Sequence, residues 1–221
     1  MTDPCRKIQT ALMLCFDAQT QAVTEWHIAE PKDMPFSDVD ADAEDSLLRL
    51  VLNQHYMNYN LWHVEDTARR KDVSADVIAD CKYRIDKLNQ QRNDCMEQVD
   101  GCLMRRMAPH LPLCPADDSP RRNTESLGMA VDRISILTLK VYHYEEQTQR
   151  IDVDASHIKE CQKKLAALQE QRSDLIQAVL DLVQDYMSGC KQPKLYFQFK
   201  MYNDPSLNPE LYANKNKDRY K

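Results

Sequence analysis

Two groups of ionisable side chains, 80 positions apart, carry most of the chemistry that this chain could perform. In the first group, His63, Asp66 and Arg70 have helical spacing, so they lie along one face of a helix. Imidazole, carboxylate and guanidinium groups together are suited to general acid–base catalysis, metal coordination or anion binding. The second group has the same spacing: His143, Glu146 and Arg150.

Further charged residues are expected to approach these groups. Glu65 and Glu145 lie on an adjacent helix face. A hairpin that folds back at residues 71 to 73 would bring a second set of polar residues near each histidine, so that each half holds a His, two acids, two Arg and another Asp. The second set consists of Gln91, Arg92 and Asp94 in one half and Gln171, Arg172 and Asp174 in the other.

Three interpretations of these residues remain open. The first is structural, because carboxylates opposed to arginines form charge-assisted networks that fix the register of long helices. The second is a metal site, but the order His-x-Glu-Asp at His63 runs opposite to the Glu-x-x-His of di-metal bundles. Nearby arginines would also repel a cation. The sequence therefore predicts no metal ion and no cofactor.

The third interpretation is an anion site for a phosphorylated sugar or a nucleotide, in which arginines clamp the anion and histidines donate to it. The neighbouring acids would weaken such a site by neutralising the same arginines. The sequence has no P-loop, glycine-rich dinucleotide fingerprint or G-x-S-x-G motif. The candidate clamps and donors are Arg70, Arg92, Arg150, Arg172, His63 and His143.

The elements that position these residues form an internal repeat. Residues 61 to 100 align without a gap with residues 141 to 180, and 13 of the 40 pairs are identical. Unrelated segments would share about two or three. Ser74 and Asp154 stand at equivalent N-cap positions. The alignment predicts two helical hairpins that pack as a four-helix bundle core, with an N-terminal helix alongside and an extended C-terminal tail.

Composition favours an all-α cytoplasmic protein. The chain of 221 residues is 43% hydrophobic and has only 3 glycines, which favours helices over sheets with tight turns. The net charge of −6 and the lack of a basic stripe argue against nucleic acid. No membrane span or signal peptide is expected. The eight cysteines form no C-x-x-C pair, and four of them, inside helical patterns, are expected to be buried free thiols: Cys81, Cys95, Cys102 and Cys161.

Apolar spacing and prolines divide the chain into five parts, which pack as one compact domain. They are an N-terminal helix in 1–34, repeat one in 35–107, a Pro-rich connection in 108–124, repeat two in 125–190 and an aromatic tail in 191–221. The repeats are predicted to hold helices at about 44–71 and 75–107, and at about 125–150 and 155–188. The tail is expected to lie extended across the bundle as far as Tyr212; its aromatic cluster is Tyr196, Phe197, Phe199, Met201 and Tyr202.

Three other residues are expected to be structural. Trp62 and its counterpart Tyr142 are predicted to be core aromatics rather than platforms for stacking a ligand. Gly128, inside a predicted helix, is expected to permit close contact with another helix rather than the approach of a ligand.

Four short motifs occur in a specific order along the chain. They resemble the family Domain of Unknown Function four-two-five-four, over about residues 45 to 212. The resemblance implies a cytoplasmic protein from Bacteroidetes-type bacteria, whose relatives accompany glycosyltransferases for envelope polysaccharides, and it implies no established activity. The motifs are Asn60-Leu61-Trp62-His63-x-Glu65-Asp66-x-x-Arg69, Gln91-Arg92-Asn93-Asp94, Asp132-Arg133-Ile134-Ser135-Ile136-Leu137 and Gln198-Phe199-Lys200-Met201-Tyr202-Asn203-Asp204-Pro205.

The motif positions also imply a functional or architectural centre. Asp132 and Arg133 align with Leu52 and Asn53, so the two halves differ chemically and a single asymmetric site is expected. The centre that the resemblance implies consists of His63, Glu65, Asp66, Arg69, Arg92, Asp94, Asp132 and Arg133.

Together these observations predict a non-enzymatic binding or scaffold protein associated with envelope polysaccharide synthesis. The alternative is a bundle enzyme that acts on a phosphorylated sugar or nucleotide, with or without a metal ion, and with His63, Glu65 and Asp66 as catalytic candidates. The partners considered are proteins of envelope glycan synthesis, a phosphorylated small molecule and a second copy of the chain. The candidate ligand-binding residues are Arg69, Arg70, Arg92, Asp94, Asp132, Arg133, His143 and Glu146.

Overall fold

The computed structural model describes residues 3–36, 39–40, 43–113, 121–197, 199 and 204–211. No strand occurs in these ranges, which confirms the predicted all-α class. None of the helices that they contain combines the length and hydropathy needed to cross a membrane. The helices are α1 (Pro4–Ile28), α2 (Ser46–Ala68), α3 (Ala75–Met107), a short 3-10 helix (Ala108–His110), α4 (Leu127–Thr148) and α5 (Ala155–Ser188).

The second helix of each hairpin begins at the predicted cap. Ser74 Oγ accepts a hydrogen bond from the amide of Val77 at 3.4 Å, and Asp154 Oδ1 accepts one from the amide of His157 at 2.7 Å. The helix α5 ends at Gly189, whose φ of 81° favours a residue without a side chain. Because caps and apolar spacing are local signals, the predicted helix bounds lie within three residues of the observed ones.

The first helices of the two hairpins, α2 and α4, run parallel and in register. His55 Nδ1 lies 2.7 Å from Ser135 Oγ, and these residues occupy aligned positions of the two repeats. His63 and His143, also aligned, have ring centroids 6.0 Å apart. Positions on α2 therefore face their own counterparts on α4, and we call this contact the α2/α4 seam. It places the C-terminal ends of α2 and α4 at the same end of the bundle.

The helix α1 packs against the two hairpins through its apolar stripe. Leu12 and Phe16 are fully buried in its apolar stripe. Cys5 Sγ donates to the side chain of Gln184 at 3.2 Å, and Arg172 donates to the carbonyl of Phe16 at 2.9 Å. Residue numbers rise along α1 while they fall along α5, so α1 is antiparallel to α5 and parallel to α2 and α4. The predicted N-terminal helix beside the two hairpins is confirmed, and its buried face contributes residues to the core.

The core has two parts. The smaller part is aromatic, contains Trp26, Tyr56 and Tyr59, and lies toward the C-terminal ends of α1, α2 and α4. It supports the side chains described in the next subsection. The larger part draws residues from all five α-helices, among them Leu12, Val51, Leu103, Ile134 and Val183.

The segment after α1 returns along the outside of α2. The hydroxyl of Tyr56 donates to the carbonyl of Pro31 at 2.9 Å. The side-chain amide of Asn53 makes two hydrogen bonds, of 3.0 and 2.7 Å, with the backbone of Phe36. As residue numbers rise along this segment, those of its partners on α2 fall. The chain therefore travels back along the bundle before α2 begins.

Gly128 lies at a close contact between α3 and α4. Its amide donates to Asp100 Oδ1 at 2.7 Å. A Cβ added to Gly128 would lie 2.9 Å from Asp100 Cγ and closer still to the backbone carbonyl of Met96. The predicted close helix contact is confirmed.

The cysteines behave as small apolar side chains. Six of the seven within the described ranges are buried free thiols, and Cys190 is exposed. Burial raises the pKa of Cys15 to about 12 and that of Cys95 to about 11, which keeps both thiols protonated. The prediction of buried free thiols is confirmed for Cys81, Cys95, Cys102 and Cys161.

The aromatic tail differs from its prediction. Phe197 and Phe199 are 57% and 84% exposed, so these side chains do not pack across the bundle as expected. A backbone hydrogen bond of 2.9 Å from Gln192 to the carbonyl of Arg121 fixes the start of the tail instead. Three other residues of the predicted segment lie outside the described residues: Met201, Tyr202 and Tyr212.

Candidate functional site: three histidines and an adjoining pocket

The predicted His, acid and Arg groups do not assemble as two equivalent clusters. Arg70 makes hydrogen bonds of 3.0 and 2.7 Å with the carboxylate of Asp72. Arg150 makes the same pair with Asp152, at 3.0 and 2.6 Å. These arginines close the turns between the hairpin helices and do not pair with the histidines.

Three further predicted residues also lie apart from the histidines. Asp94 accepts from Gln90 at 2.8 Å and lines a cavity of about 900 Å³ between α2, α3 and the segment after α1. Arg133 is exposed and forms an ion pair with Glu125. Arg172 donates to groups on α1 and α4 and so holds helices together. Asp94 and Arg133 therefore do not join the predicted centre.

Asp132 is the centre of a buried polar network that joins α2, α3 and α4. Its side chain is 5% exposed and accepts hydrogen bonds from Gln54 and from Asn58, the latter at 3.0 Å. Arg92 Nε lies 3.2 Å from the same carboxylate oxygen. Burial raises the pKa of Asp132, while Arg92, Asn58 and Gln54 oppose that rise. The aligned residue in the other repeat is Leu52, so the network exists in one half only.

A pocket of about 360 Å³ opens beside this network, between α2, α3 and α4. We call it the polar pocket. It brings together four of the predicted site residues with an aromatic ring and an apolar wall. The residues that line it are Asn58, Leu61, Trp62, Glu65, Asp66, Arg69, Asn89, Arg92, Ile136 and Leu139.

The arginines of the polar pocket already have carboxylate partners. Arg69 donates to Glu65 at 2.7 Å, and Arg92 lies against Asp132. A guanidinium paired in this way attracts a further anion much less than a free one does. The predicted anion clamp therefore gains no support from this geometry.

Three imidazole rings meet at the end of the bundle where α1, α2 and α4 terminate. One ring nitrogen from each of His27, His63 and His143 lies within 4.8 Å of the other two. The ring centroids are 5.1 Å apart for His27 and His63, and 5.0 Å apart for His27 and His143. We call this group the three-histidine centre. His63 and His143 were predicted site residues, whereas His27 was not.

The hydrogen bonds of two rings fix which nitrogen carries the proton. His27 Nδ1 lies 2.6 Å from the carbonyl of Val23, which only accepts, so Nδ1 carries a proton, and in the neutral ring Nε2 presents the lone pair. His143 Nδ1 has the same relationship to the Glu146 carboxylate, at 2.7 Å. The Nε2 atoms of all three histidines are buried and have no hydrogen-bond partner within the described part of the chain.

Aromatic side chains hold the three rings in place. Trp62 and Tyr142, predicted to be core aromatics, are half-buried, pack against the aromatic part of the core and also stack on histidines. Such contacts limit the rotation of the imidazoles. The contacts are Tyr142 on His27 (4.2 Å between centroids), Trp62 on His143 (4.5 Å) and Tyr59 edge-on to His63 (4.5 Å).

The electrostatic environment favours neutral imidazoles. Burial lowers the pKa of His63, and the neighbouring His27 and His143 lower it further. Burial also lowers the pKa of His143, against the opposing effect of Glu146. Asp66 lies near enough to act on both histidines. Neutral imidazole is the form that binds a metal ion.

One sequence signal could have revealed His27. An aromatic residue followed by histidine occurs at all three members of the centre, each near the C-terminal end of a helix. His27 was missed because it lies before the aligned repeats and before the motifs that carry the family resemblance. The three dipeptides are Trp26-His27, Trp62-His63 and Tyr142-His143.

A family model matches residues 48–195, which is more than half of the chain, and its description is "Protein of unknown function (DUF4254)". The chain belongs to this family. The match includes the polar pocket and two members of the three-histidine centre, whereas His27 precedes it. No curated protein and no solved structure gives a significant match.

Proposed function

We propose that this chain is a binding protein for a small, neutral, polyhydroxylated ligand of the saccharide class, held in the polar pocket. The observation that carries the proposal is the convergence of six planar polar groups around an apolar wall. A sugar ring has apolar C–H faces and a rim of hydroxyls, so it needs both kinds of surface. The six groups belong to Asn58, Glu65, Asp66, Arg69, Asn89 and Arg92.

The size and aromatic content of the pocket support this ligand class. A volume of about 360 Å³ is near the lower end for small-molecule sites, which run from about 300 to 1,000 Å³. Leu61, Ile136 and Leu139 supply the apolar wall. Trp62 adds a large apolar surface with one polar N–H, a combination suited to partly wet sites.

The charges favour a neutral ligand over a phosphorylated one. Glu65 and Asp66 balance Arg69 and Arg92 in the lining of the pocket. Both arginines are also engaged with carboxylates, so an incoming phosphate would compete with an existing partner. Carboxylates can accept hydrogen bonds from hydroxyls without displacing anything.

The predicted role beside enzymes of envelope polysaccharide synthesis in a bacterium stays a prediction that rests on the family resemblance. A saccharide pocket would suit that role. The alternative, an enzyme that acts on a phosphorylated sugar or nucleotide, has less support. His63, its candidate general acid or base, belongs to the three-histidine centre and does not line the pocket.

Ligand-observed NMR tests the proposal. Neutral monosaccharides and disaccharides, each paired with its phosphorylated form, are screened at millimolar concentration by saturation transfer. We expect transfer to ring protons of a neutral saccharide, a weaker signal with Glu65→Gln, and no change with Glu145→Gln. Glu145 is the aligned residue of the other repeat, is exposed and lies outside the pocket, so it is a matched control.

Three results would overturn the proposal: tighter binding of the phosphorylated form, equal binding by Glu65→Gln and wild type, or no binding of any saccharide in the panel.

A further inference from the structure

We propose that His27, His63 and His143 bind one divalent transition-metal ion of the Zn²⁺ class through their Nε2 atoms. The three-histidine centre adjoins the saccharide pocket through Trp62 and Asp66, but none of its histidines lines that pocket, and the inference does not rest on that proposal. It differs from the sequence-based expectation of no metal ion, which assumed that arginines lie beside the histidines.

The spacing of the rings suits one ion. Zn–N bonds of about 2.0 to 2.1 Å at tetrahedral angles place ligand nitrogens about 3.3 Å apart and ring centroids about 5 Å apart. The centroid of His27 is 5.1 Å from that of His63 and 5.0 Å from that of His143. The pair of His63 and His143 is wider, at 6.0 Å. The ring nitrogens lie within 4.8 Å of one another, so an ion that contacts all three would draw them about 1 to 1.5 Å closer together.

The three buried Nε2 atoms are grouped where a cation could bind. Within the described part of the chain none of them has a hydrogen-bond partner, and leaving a buried polar atom unpaired is unfavourable. The Nδ1 protons of His27 and His143 are already donated to Val23 and Glu146, so their Nε2 atoms present lone pairs. Histidine ligands of metals commonly donate the other N–H to a carbonyl or a carboxylate in this way.

The surrounding charge favours a cation. Asp66 acts electrostatically on His63 and His143, Glu30 acts on His63, and Glu146 bonds to His143. The C-terminal ends of α1, α2 and α4 also converge here, and helix C-termini carry partial negative charge.

The arginines that the sequence placed near the histidines have other partners. Arg70 and Arg150 form their hydrogen bonds with Asp72 and Asp152 at the hairpin turns. These two arginines contact carboxylates and not the histidines. The predicted repulsion of a metal ion by neighbouring arginines therefore does not apply to them.

The donor set selects the class of metal. Three imidazole nitrogens suit Zn²⁺, Co²⁺, Ni²⁺ or Cu²⁺, whereas Mg²⁺ and Ca²⁺ prefer oxygen ligands. Three protein ligands also leave a fourth tetrahedral position for water or another small ligand, as in open zinc sites.

Cobalt titration tests the site directly. The full chain is treated with a chelator, desalted and titrated with Co²⁺, whose visible absorption reports tetrahedral coordination, and Zn²⁺ is then added as a competitor. We expect one Co²⁺ per chain, displaced by Zn²⁺. His27→Gln, His63→Gln and His143→Gln should each weaken binding by more than about 100-fold, since loss of an outer partner alone costs about 10- to 100-fold.

Matched controls keep the test decisive if a histidine variant fails to fold. His110→Gln changes an exposed histidine outside the centre and should bind Co²⁺ like the wild type. Glu146→Gln removes only the outer partner of His143 and should weaken binding about 10-fold or more. Glu145→Gln, one residue earlier on α4, should change nothing.

Four outcomes would overturn the inference. They are no Co²⁺ absorption in the wild type, a thiolate-to-cobalt charge-transfer band that shows cysteine ligation, unchanged affinity in a folded His27→Gln variant, and equal affinity of Glu146→Gln and Glu145→Gln.

Discussion

The rings of His63 and His143 face each other across the α2/α4 seam, with centroids 6.0 Å apart and planes 79° apart. These residues occupy aligned positions of the two repeats, so the α2/α4 seam places each of them against its counterpart in the other repeat. His27 comes from α1, outside both repeats, and meets both rings. The centre therefore forms only when three separate helices are packed together, and a ligand held there would link them.

A bound metal ion should stabilise the whole fold. At 100 times its dissociation constant, Zn²⁺ is expected to raise the free energy of unfolding by about 2.7 kcal/mol. Thermal unfolding with Zn²⁺, with Mg²⁺ and with a chelator measures the effect. The Zn²⁺ increase should vanish with the chelator and in His27→Gln, and Mg²⁺ should give none. An equal Zn²⁺ increase in His27→Gln would place the ion elsewhere.

Stability should fall as the pH is lowered below about 6.5. Burial lowers the pKa of His55 to about 3, so the unfolded chain binds a proton that the folded chain does not. Neutral His55 makes its full contribution to stability above pH 6.5, the pKa of this side chain in the unfolded chain. Below that pH it decreases by about 1.4 kcal/mol per unit, or about 2 kcal/mol by pH 5. Urea unfolding of the chelator-treated protein at several pH values measures this slope.

Two variants test whether His55 causes this pH dependence of stability. His55→Gln should reduce the slope by about 1.4 kcal/mol per pH unit, and His110→Gln should leave it unchanged. The pH range of the measurements stays above 5. Burial raises the pKa of Asp100 and Asp132, and at lower pH this effect on stability is opposite to that of His55. An unchanged slope in His55→Gln would show that other groups cause the acid sensitivity.

Removal of the Asp132 carboxylate should destabilise the bundle strongly. Asp132→Ala leaves the buried Asn58 and Gln54 and the half-buried Arg92 without their common acceptor, at a cost of about 3 kcal/mol. Arg133→Ala, the neighbouring exposed position, should change stability by less than about 0.5 kcal/mol. Urea unfolding compares the two. Equal small effects would mean that the network contributes little to the fold.

Two glycine substitutions should have opposite effects. Gly128→Ala places a methyl group against the backbone of Met96 and the side chain of Asp100, and overpacking of this kind costs about 1 to 3 kcal/mol. Gly101→Ala meets its nearest neighbour, Arg105, at 3.5 Å and should gain about 0.5 to 1 kcal/mol from helix propensity. Thermal or urea unfolding measures both, and a stable Gly128→Ala would show that α3 and α4 can separate without loss.

The helices could be predicted because their signals are local. The caps Ser74 and Asp154 and the apolar spacing fix where helices begin and end, whichever partner they later meet. The neighbours of each helix depend on contacts between residues that are far apart in sequence. For this reason the central position of α1, which brings Trp26 and His27 to the α2/α4 seam, could not be predicted from the chain alone.

The predicted arrangement of Arg70 beside His63 differs from the structure because Arg70 has a closer partner. Arg70 stands two residues from Asp72, and the turn between the helices lets the two groups form paired hydrogen bonds. That local contact removes the arginine from the group around His63. The prediction that the aromatic tail packs across the bundle was also wrong for Phe197 and Phe199, because both lie on the surface despite their apolar character.

The contacts between α1 and α5 have a consequence for synthesis. Cys5 and Gln184 are 179 residues apart in the chain, and Phe16 and Arg172 are 156 apart. When α1 leaves the ribosome, its partners on α5 have not yet been translated. Only the part of its apolar stripe that contacts α5 stays uncovered until α5 is translated, because α2 and α4 are translated earlier and cover the rest, and a chain truncated before α5 leaves that part exposed.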